Sequence, residues 1–502
     1  MAISESMPRT ITSGGPDPTR PAPGRTAGLL VGLVALAAVL RAIGLDQGLW
    51  VDEIMSIKQA FRNPVLEILT GFRNENDHPL YSLLAHVSMQ AFGDRPWPTR
   101  LPALLFGVAT VPALWMLGRA VASRGEALAA AALLAVSYHH VWFSQNARGY
   151  TAVAFFAVVG AWLLVRGVAT GSRRDFVAYG LTAALAAYTH LTMVFVSIGH
   201  AAALGLFALT RANTQERSAI LRDAPLGFVV AALGTIAAYL PKAIAVVRTF
   251  FVPTFWVGVA SPTWAISELF RGLAQGWGAG HAAVGAAVVA AGALVFLAGL
   301  VGFWRDRPLF ALLAILPPVL LYGGSLATRG VLYPRFFFFS IGPMLLVAVH
   351  GLFEVGASLA RVTGRPGPGR LLPVVGVAAG IAVSLAALPR NWRLPKQDFE
   401  GAIAWVESQA APGDSMLSTH VYPVNEFYGK SWGRGCSREE IDTARRKGPT
   451  WVLWTLPYQM RAACPEFLEV ADRECPSPKV FPGTVAGGDM RVCRLDRLPA
   501  RP

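Results

Sequence analysis

The chain has 502 residues, of which 54% are hydrophobic and only 15% charged, against roughly a quarter charged in an average globular domain. So few polar groups cannot clothe a soluble protein of this size, and lipid must solvate much of it. The net charge of +14 does not indicate nucleic acid, because no basic run is interleaved with stacking aromatics; short arginine clusters between apolar segments suit anionic lipid head groups and an anionic substrate.

Residues 1–26 are rich in Pro, Ser, Thr and Gly and are expected to form a disordered cytoplasmic tail. The apolar stretch behind them is as long as a membrane span and has no small-x-small cleavage site directly after it, so it reads as a first transmembrane helix. Further spans are predicted near 99–121, 125–143, 150–168, 175–189, 191–210, 225–246, 281–303, 308–327, 336–353 and 371–388. With the first, near 27–45, that makes about eleven helices. His78–Phe92 and Pro262–Leu273 are apolar but short, and are expected to lie in the membrane interface.

The arginines set the orientation. Arg119 and Arg124, Arg166 with Arg173 and Arg174, Arg211 to Arg222, Arg305 and Arg307, and Arg361 to Arg370 fall in alternate connections. Arg9, Arg20 and Arg25 precede the first span on the same side. That side is cytoplasmic by the positive-inside rule, and the residues after Leu388 lie outside. A full span at 78–92 would put Arg119 and Arg124 outside, so that model is rejected. The predicted organisation is a membrane domain over 27–389, with a first external loop over 46–98, and an external domain over 390–502.

All four cysteines, Cys436, Cys464, Cys475 and Cys493, fall in that last segment. An even number in an external tail suits two disulfides of unspecified pairing, with four unrelated thiols as the alternative. No spacing is Cys-x2–4-Cys, which argues against zinc. The tail shows helical periodicity over Asp398–Gln409, a turn at Pro412-Gly413-Asp414 and strand-like runs at Met416–Thr419 and Trp451–Trp454. With a charged helical stretch near Ser437–Lys447, it reads as a small soluble α/β module without a catalytic motif.

Ionisable residues at a membrane interface are costly and need a reason. On this topology the unusual ones gather outside. Asp52-Glu53 follows Trp50 just beyond the first helix, and suits a general base, a metal ligand or a solvated loop. Next come Asn76-Asp77-His78-Pro79-Leu80-Tyr81, Arg100-Leu101-Pro102 and Ser144-Gln145-Asn146-Ala147-Arg148-Gly149-Tyr150. Tyr188-Thr189-His190 and Tyr333-Pro334-Arg335-Phe336 complete the series.

This ordered series resembles the protein O-mannosyltransferase superfamily of membrane glycosyltransferases. It looks closest to the bacterial branch with the rhizobial lipopolysaccharide galacturonosyltransferases and, more remotely, the lipid A aminoarabinose transferase. The resemblance spans roughly Leu45 to Gly351. It implies a GT-C fold, with juxtamembrane helices above a lipid-open cavity in a bacterial inner membrane. It also implies an inverting transfer from a polyprenyl-phosphate sugar to a lipid, glycan or protein hydroxyl. The family's Asp-Glu pair matches Asp52-Glu53, its Arg-x-Tyr matches Arg148-Gly149-Tyr150, and its His-Pro-Pro matches His78-Pro79-Leu80 with the second proline missing.

The chemistry is consistent with those residue types. A hydroxyl is a poor nucleophile near neutral pH, so a carboxylate that takes its proton in the transition state is useful. The leaving lipid phosphate gains charge, which arginine forks can meet through paired hydrogen bonds. Asp52 and Glu53 are the candidate catalytic carboxylates. Arg148, Arg335 and, more weakly, Lys242 are the candidate phosphate ligands, with Asp77, His78, Tyr150 and His190 for substrate. No cofactor is demanded, and a divalent metal on Asp52 and Glu53 stays open. Each cation has a structural alternative: Arg148 as a snorkelling side chain, Arg335 and Lys242 as helix-end anchors. A secondary transporter of a glycolipid-type substrate is the rival reading; transporters hold such charges near the bilayer midplane on broken helices.

Overall fold

The structure is a computed structural model that describes residues 23–73, 77–251, 261–274, 282–328, 332–419 and 421–499. Most of the amino-terminal tail and Asn76 fall outside the described residues. In hydrocarbon every backbone N–H and C=O must be satisfied within the chain, and the apolar runs do this as helices. α1 (Pro23–Ala42) leads into a loop with three short helices, α2 (Val51–Ser56), α3 (Val65–Thr70) and α4 (Pro79–Phe92). α2 continues through one π-helical turn to Phe61. α5 (Pro96–Val121) then runs back through the bundle, followed by α6 (Arg124–Val136) and α7 (Tyr138–Ser144). α8 (Tyr150–Thr170), α9 (Arg173–Thr189), α10 (Met193–Thr210) and α11 (Thr214–Tyr239) continue it. The short α12 (Ala243–Phe251) and α13 (Pro262–Ala274) precede α14 (Ala282–Asp306), α15 (Pro308–Thr328), α16 (Ile341–Thr363) and α17 (Pro366–Arg393).

Among the described residues eight helices are long and apolar enough to cross a membrane, and the bent pair α6–α7 makes a ninth. Every predicted span contains a helix, but two fall short by that measure. Among the described residues the apolar part of α1 is Thr26–Ala42, and the 17-residue α9 opens on the polar Arg173, Arg174 and Asp175. α4, with 14 residues, is too short to span, since a helix rises about 1.5 Å per residue.

The segment read as one span over 125–143 is broken by 56° between α6 and α7. The Ser137 hydroxyl caps α7 by accepting from the His140 N–H at 3.4 Å. The carbonyls that the break releases at Leu134 and Ala135 accept from Arg41, fully buried on α1, at 3.2 and 2.8 Å. Elsewhere small residues let helices touch through their backbones. A Cβ on Gly299 of α14 would sit 2.0 Å from the Val347 carbonyl of α16, and one on Gly351 would sit 1.9 Å from that of Val295.

The tail comprises α18 (Phe399–Gln409), β1 (Ser415–Ser418), α19 (Tyr422–Phe427), β2 (Gly433–Arg434), α20 (Arg438–Lys447), β3 (Thr450–Trp454), α21 (Pro457–Ala463), α22 (Pro465–Glu474), β4 (Lys479–Phe481) and β5 (Met490–Leu495). The sheet order is β2-β1-β3-β5-β4. β2, β1 and β3 are parallel, and β5 runs antiparallel to β3 and β4. Cys436 is bonded to Cys464 and Cys475 to Cys493. The tail does not stand apart from the first loop. Ile54, Ile57, Phe61 and Tyr81 share one apolar core with Phe399, Val424 and Trp451.

Candidate active site

Asp52 and Glu53 are adjacent on α2, and successive helix positions point in different directions. Glu53 is fully buried against Arg100 of α5. The guanidinium donates through Nε to Oε1 at 2.8 Å and through Nη2 to Oε2 at 2.6 Å. The Ala147 N–H adds a bond to Oε1 at 2.7 Å. The remaining Arg100 protons go to the carbonyls of Leu45, Gln47 and Gly48 at 2.8–3.0 Å. Burial pushes the Glu53 carboxyl up, but Arg100, Lys396 and these hydrogen bonds outweigh it and hold the group below its ordinary range. Arg100 thus engages both Glu53 oxygens, and Glu53 is turned away from the cavity that Asp52 lines. Among the described residues no three His, Cys, Asp or Glu side chains gather to hold a metal ion.

Asp52 faces the other way, into a cavity of about 280 Å³ at the end of the bundle that carries the tail. Its Oδ2 lies 3.4 Å from Arg335 Nη2. That is an ion pair without a formed hydrogen bond, and Oδ2 has no hydrogen-bond partner among the described residues. Arg335 stands just before α16, 4.1 Å over the Tyr333 ring, and its guanidinium donates to the Tyr150 hydroxyl. Arg148 lines the same cavity and donates to the Ser56 hydroxyl at 2.7 Å. Ser56 in turn donates to the Asp52 carbonyl, one helical turn back, at 2.8 Å.

Arg148 is held by the turn between α7 and α8. The Gln145 amide donates to the Arg41 carbonyl at 2.9 Å, and Asn146 accepts from the Trp50 indole at 3.1 Å. Ala147 binds Glu53 as described. Gly149 then lets the start of α8 come close to its neighbours: a Cβ there would lie 2.6 Å from Thr189 Cγ2 and 2.9 Å from His78 Nδ1.

Asp77 and His78 line the cavity. The Asp77 carboxylate accepts from the His78 N–H at 2.8 Å, and burial raises its pKa against the pull of Lys242 and Arg148. The His78 ring packs 5.0 Å from Tyr150 and 4.8 Å from His190. Burial first, then the charges of Arg148 and Arg335, hold His78 well below its usual range and His190 at about 3. Both imidazoles are therefore neutral. Tyr150 and His190 do not line the cavity; they back Arg335 and His78. Lys242 is not among the residues that line the cavity. Its ammonium donates to the Ile68 carbonyl at 2.9 Å and lies over the Tyr188 ring, fastening the end of α11 to α3 outside the cavity wall.

The tail contributes Val421, Pro423, Leu456 and Gln459 to the cavity wall. Leu456 has φ 51°, the one positive value at a non-glycine among the described residues, and its N–H is held by the Gly487 carbonyl at 3.1 Å. Neither these residues nor Arg73, which also lines the cavity, carries a sequence signal pointing to the site. Ser56 does, by its spacing of one helical turn from Asp52.

The arrangement is that of the GT-C membrane fold. ArnT from Cupriavidus metallidurans, in the apo state, matches with a TM-score of 0.53 at 15% identity, over 94% of this chain and 98% of that one. The same protein bound to undecaprenyl phosphate matches with a TM-score of 0.50 at 15% identity, over 93% and 98%. The Archaeoglobus fulgidus oligosaccharyltransferase tethered with an acceptor peptide matches with a TM-score of 0.52 at 12% identity, over 93% and 74%. At these identities the likeness is one of fold. Within that class, residues 76–245 match the family described as dolichyl-phosphate-mannose-protein mannosyltransferase. No curated protein is significantly similar in sequence.

Proposed function

We propose that the protein is an inverting glycosyltransferase, moving a sugar from a polyprenyl-phosphate donor to a hydroxyl of a lipid, glycan or protein acceptor. The observation that carries this reading is the meeting of Asp52 with Arg335 in one cavity that Arg148 also lines. A base and two phosphate-binding forks are the groups this displacement needs. The binding of undecaprenyl phosphate by ArnT, a protein of the same fold, supports a lipid-phosphate donor.

The lipid phosphate takes the guanidinium groups of Arg148 and Arg335, and so loosens Arg335 from Asp52. The acceptor hydroxyl gives its proton to the freed Asp52 oxygen as its own oxygen bonds the anomeric carbon. The bond from that carbon to the phosphate oxygen breaks on the opposite face, so the configuration inverts. The electron pair stays on the phosphate, where the two arginines stabilise it; such fixed donors are often the largest catalytic contribution. Neutral His78 supplies a donor and an acceptor for sugar hydroxyls. Glu53 and Arg100 act by positioning α2.

The reaction is assigned to the outer face of a bacterial inner membrane. Support comes from the arginine-rich connections at the opposite end of the bundle and from the two tail disulfides. The test is titration with a non-hydrolysable polyprenyl-phosphonate sugar. Arg148→Ala and Arg335→Ala should each weaken binding by about 1.5–3 kcal/mol, non-additively in the double variant, and lysine should rescue only in part. Unchanged affinity in both singles would refute the phosphate clamp. Sugar flux into proteoliposomes with the glycosidic bond intact would favour a transporter.

A further inference from the structure

We propose that Lys396, in the linker between α17 and the tail, is a positioning residue for the donor-phosphate site, acting through the Gln145–Arg148 turn. The proposal rests on the functional reading above. Lys396 is 4% exposed; its ammonium donates to the Gln145 carbonyl and lies 5.3 Å over the Trp142 ring. Asn391, near the end of α17, grips the same turn, and Gln397, next to Lys396 in the linker, holds the start of α2. The Asn391 amide donates to Gln145 Oε1 at 2.5 Å, and Gln397 Oε1 accepts from the Val51 N–H at 3.0 Å, one residue before Asp52. From the other side the turn is held by Trp50, Glu53 and Ser56. The segment that presents Arg148 is therefore clamped between the first loop on one side and the end of α17 with Lys396 on the other.

A buried amine on a backbone carbonyl is a costly way to make one hydrogen bond, since its charge must leave water. A glutamine would make the bond without that cost. What lysine adds is positive charge beside the turn that offers Arg148 to an anion. The charged groups facing it are Arg100, which repels it, and Glu53, which attracts it. Burial and then Arg100 lower its pKa to about 7 against the pull of Glu53, so the charge is present below neutrality and lost above it. The grip on the lipid phosphate should weaken accordingly as pH rises through that value.

The experiment titrates undecaprenyl phosphate into the full-length protein in nanodiscs, at pH values on either side of 7. It compares wild type, Lys396→Arg, Lys396→Gln and Arg148→Ala. Below neutrality Lys396→Gln should bind about tenfold more weakly than wild type, the scale of one charge-assisted bond. Above it the two should converge, while Lys396→Arg keeps its affinity relative to wild type or gains. The ionisation of the lipid phosphate is common to all the proteins and cancels in these ratios. Either substitution removes the titration, so one folded variant suffices. Ratios that stay constant with pH overturn the proposal and leave the functional reading intact. Failure of wild type to bind better than Arg148→Ala removes Arg148 from the phosphate site of that reading, and overturns the proposal with it.

Discussion

Two neighbouring carboxylates differ here as far as two residues of one charge can. Asp52→Asn keeps the shape and removes the proton acceptor, so turnover should fall by roughly 10²–10⁴-fold while undecaprenyl phosphate binding changes little. Glu53→Gln should act on stability instead. It leaves Arg100 buried without its counter-charge, a loss of about 3–5 kcal/mol for a broken buried pair, visible as a lower unfolding temperature. Turnover at wild-type rates in folded Asp52→Asn would refute its role; a Glu53→Gln protein as stable as wild type would refute the division of labour. The sequence makes the Asp-Glu pair legible as a pair. It does not say which member works, because Arg100 lies far along the chain and only folding brings its fork to Glu53. Arg335 and Lys242 pose the same problem. Both are cations at apolar helix ends, and only the fold turns one toward Asp52 and the other toward the Ile68 carbonyl.

Among the elements, the start of α8 packs closely against the site. Gly149→Ala would push a methyl group into Thr189 and His78, so α8 must retreat and carry Tyr150 away from Arg335. Donor affinity should drop at least tenfold, a shift of about 1.4 kcal/mol. Gly205→Ala in α10, where a Cβ meets nothing within 4 Å, should bind donor like wild type. Equal affinities in the two variants would show that the close approach is not needed. Helices of this kind are the most legible part of the fold, because twenty apolar residues leave the backbone few other ways to satisfy itself. The break between α6 and α7 is not legible. Hydropathy is blind to direction, and the carbonyls released there are answered by Arg41 from a separate helix. In the tail, α18, α20, β1 and β3 carry their periodicity openly. β2 has two residues and β4 three, too few for alternation to register.

For the molecule as a whole, orientation is the property most open to direct test. With Cys436–Cys464 and Cys475–Cys493 on the outer face, an impermeant maleimide should label intact cells only after an impermeant reductant. Labelling that requires opening the cytoplasmic side would reverse the topology. Less legible was the docking of the tail, since apolar positions such as Phe399 and Trp451 announce that they will be covered without saying by what. Their cover is the first loop, and that has a consequence in time. Phe61 leaves the ribosome more than three hundred residues before Phe399. At about 5–20 residues per second, the loop waits roughly 15 s to a minute for the other half of its core. Until then Ile54, Ile57 and Phe61 have only early partners such as Tyr81 against them, and any chaperone or lipid that shields the faces left for the tail must later yield. The protein therefore cannot begin work during its own synthesis, and a ribosome stalled before the tail leaves behind a membrane-inserted chain with an exposed, adhesive loop.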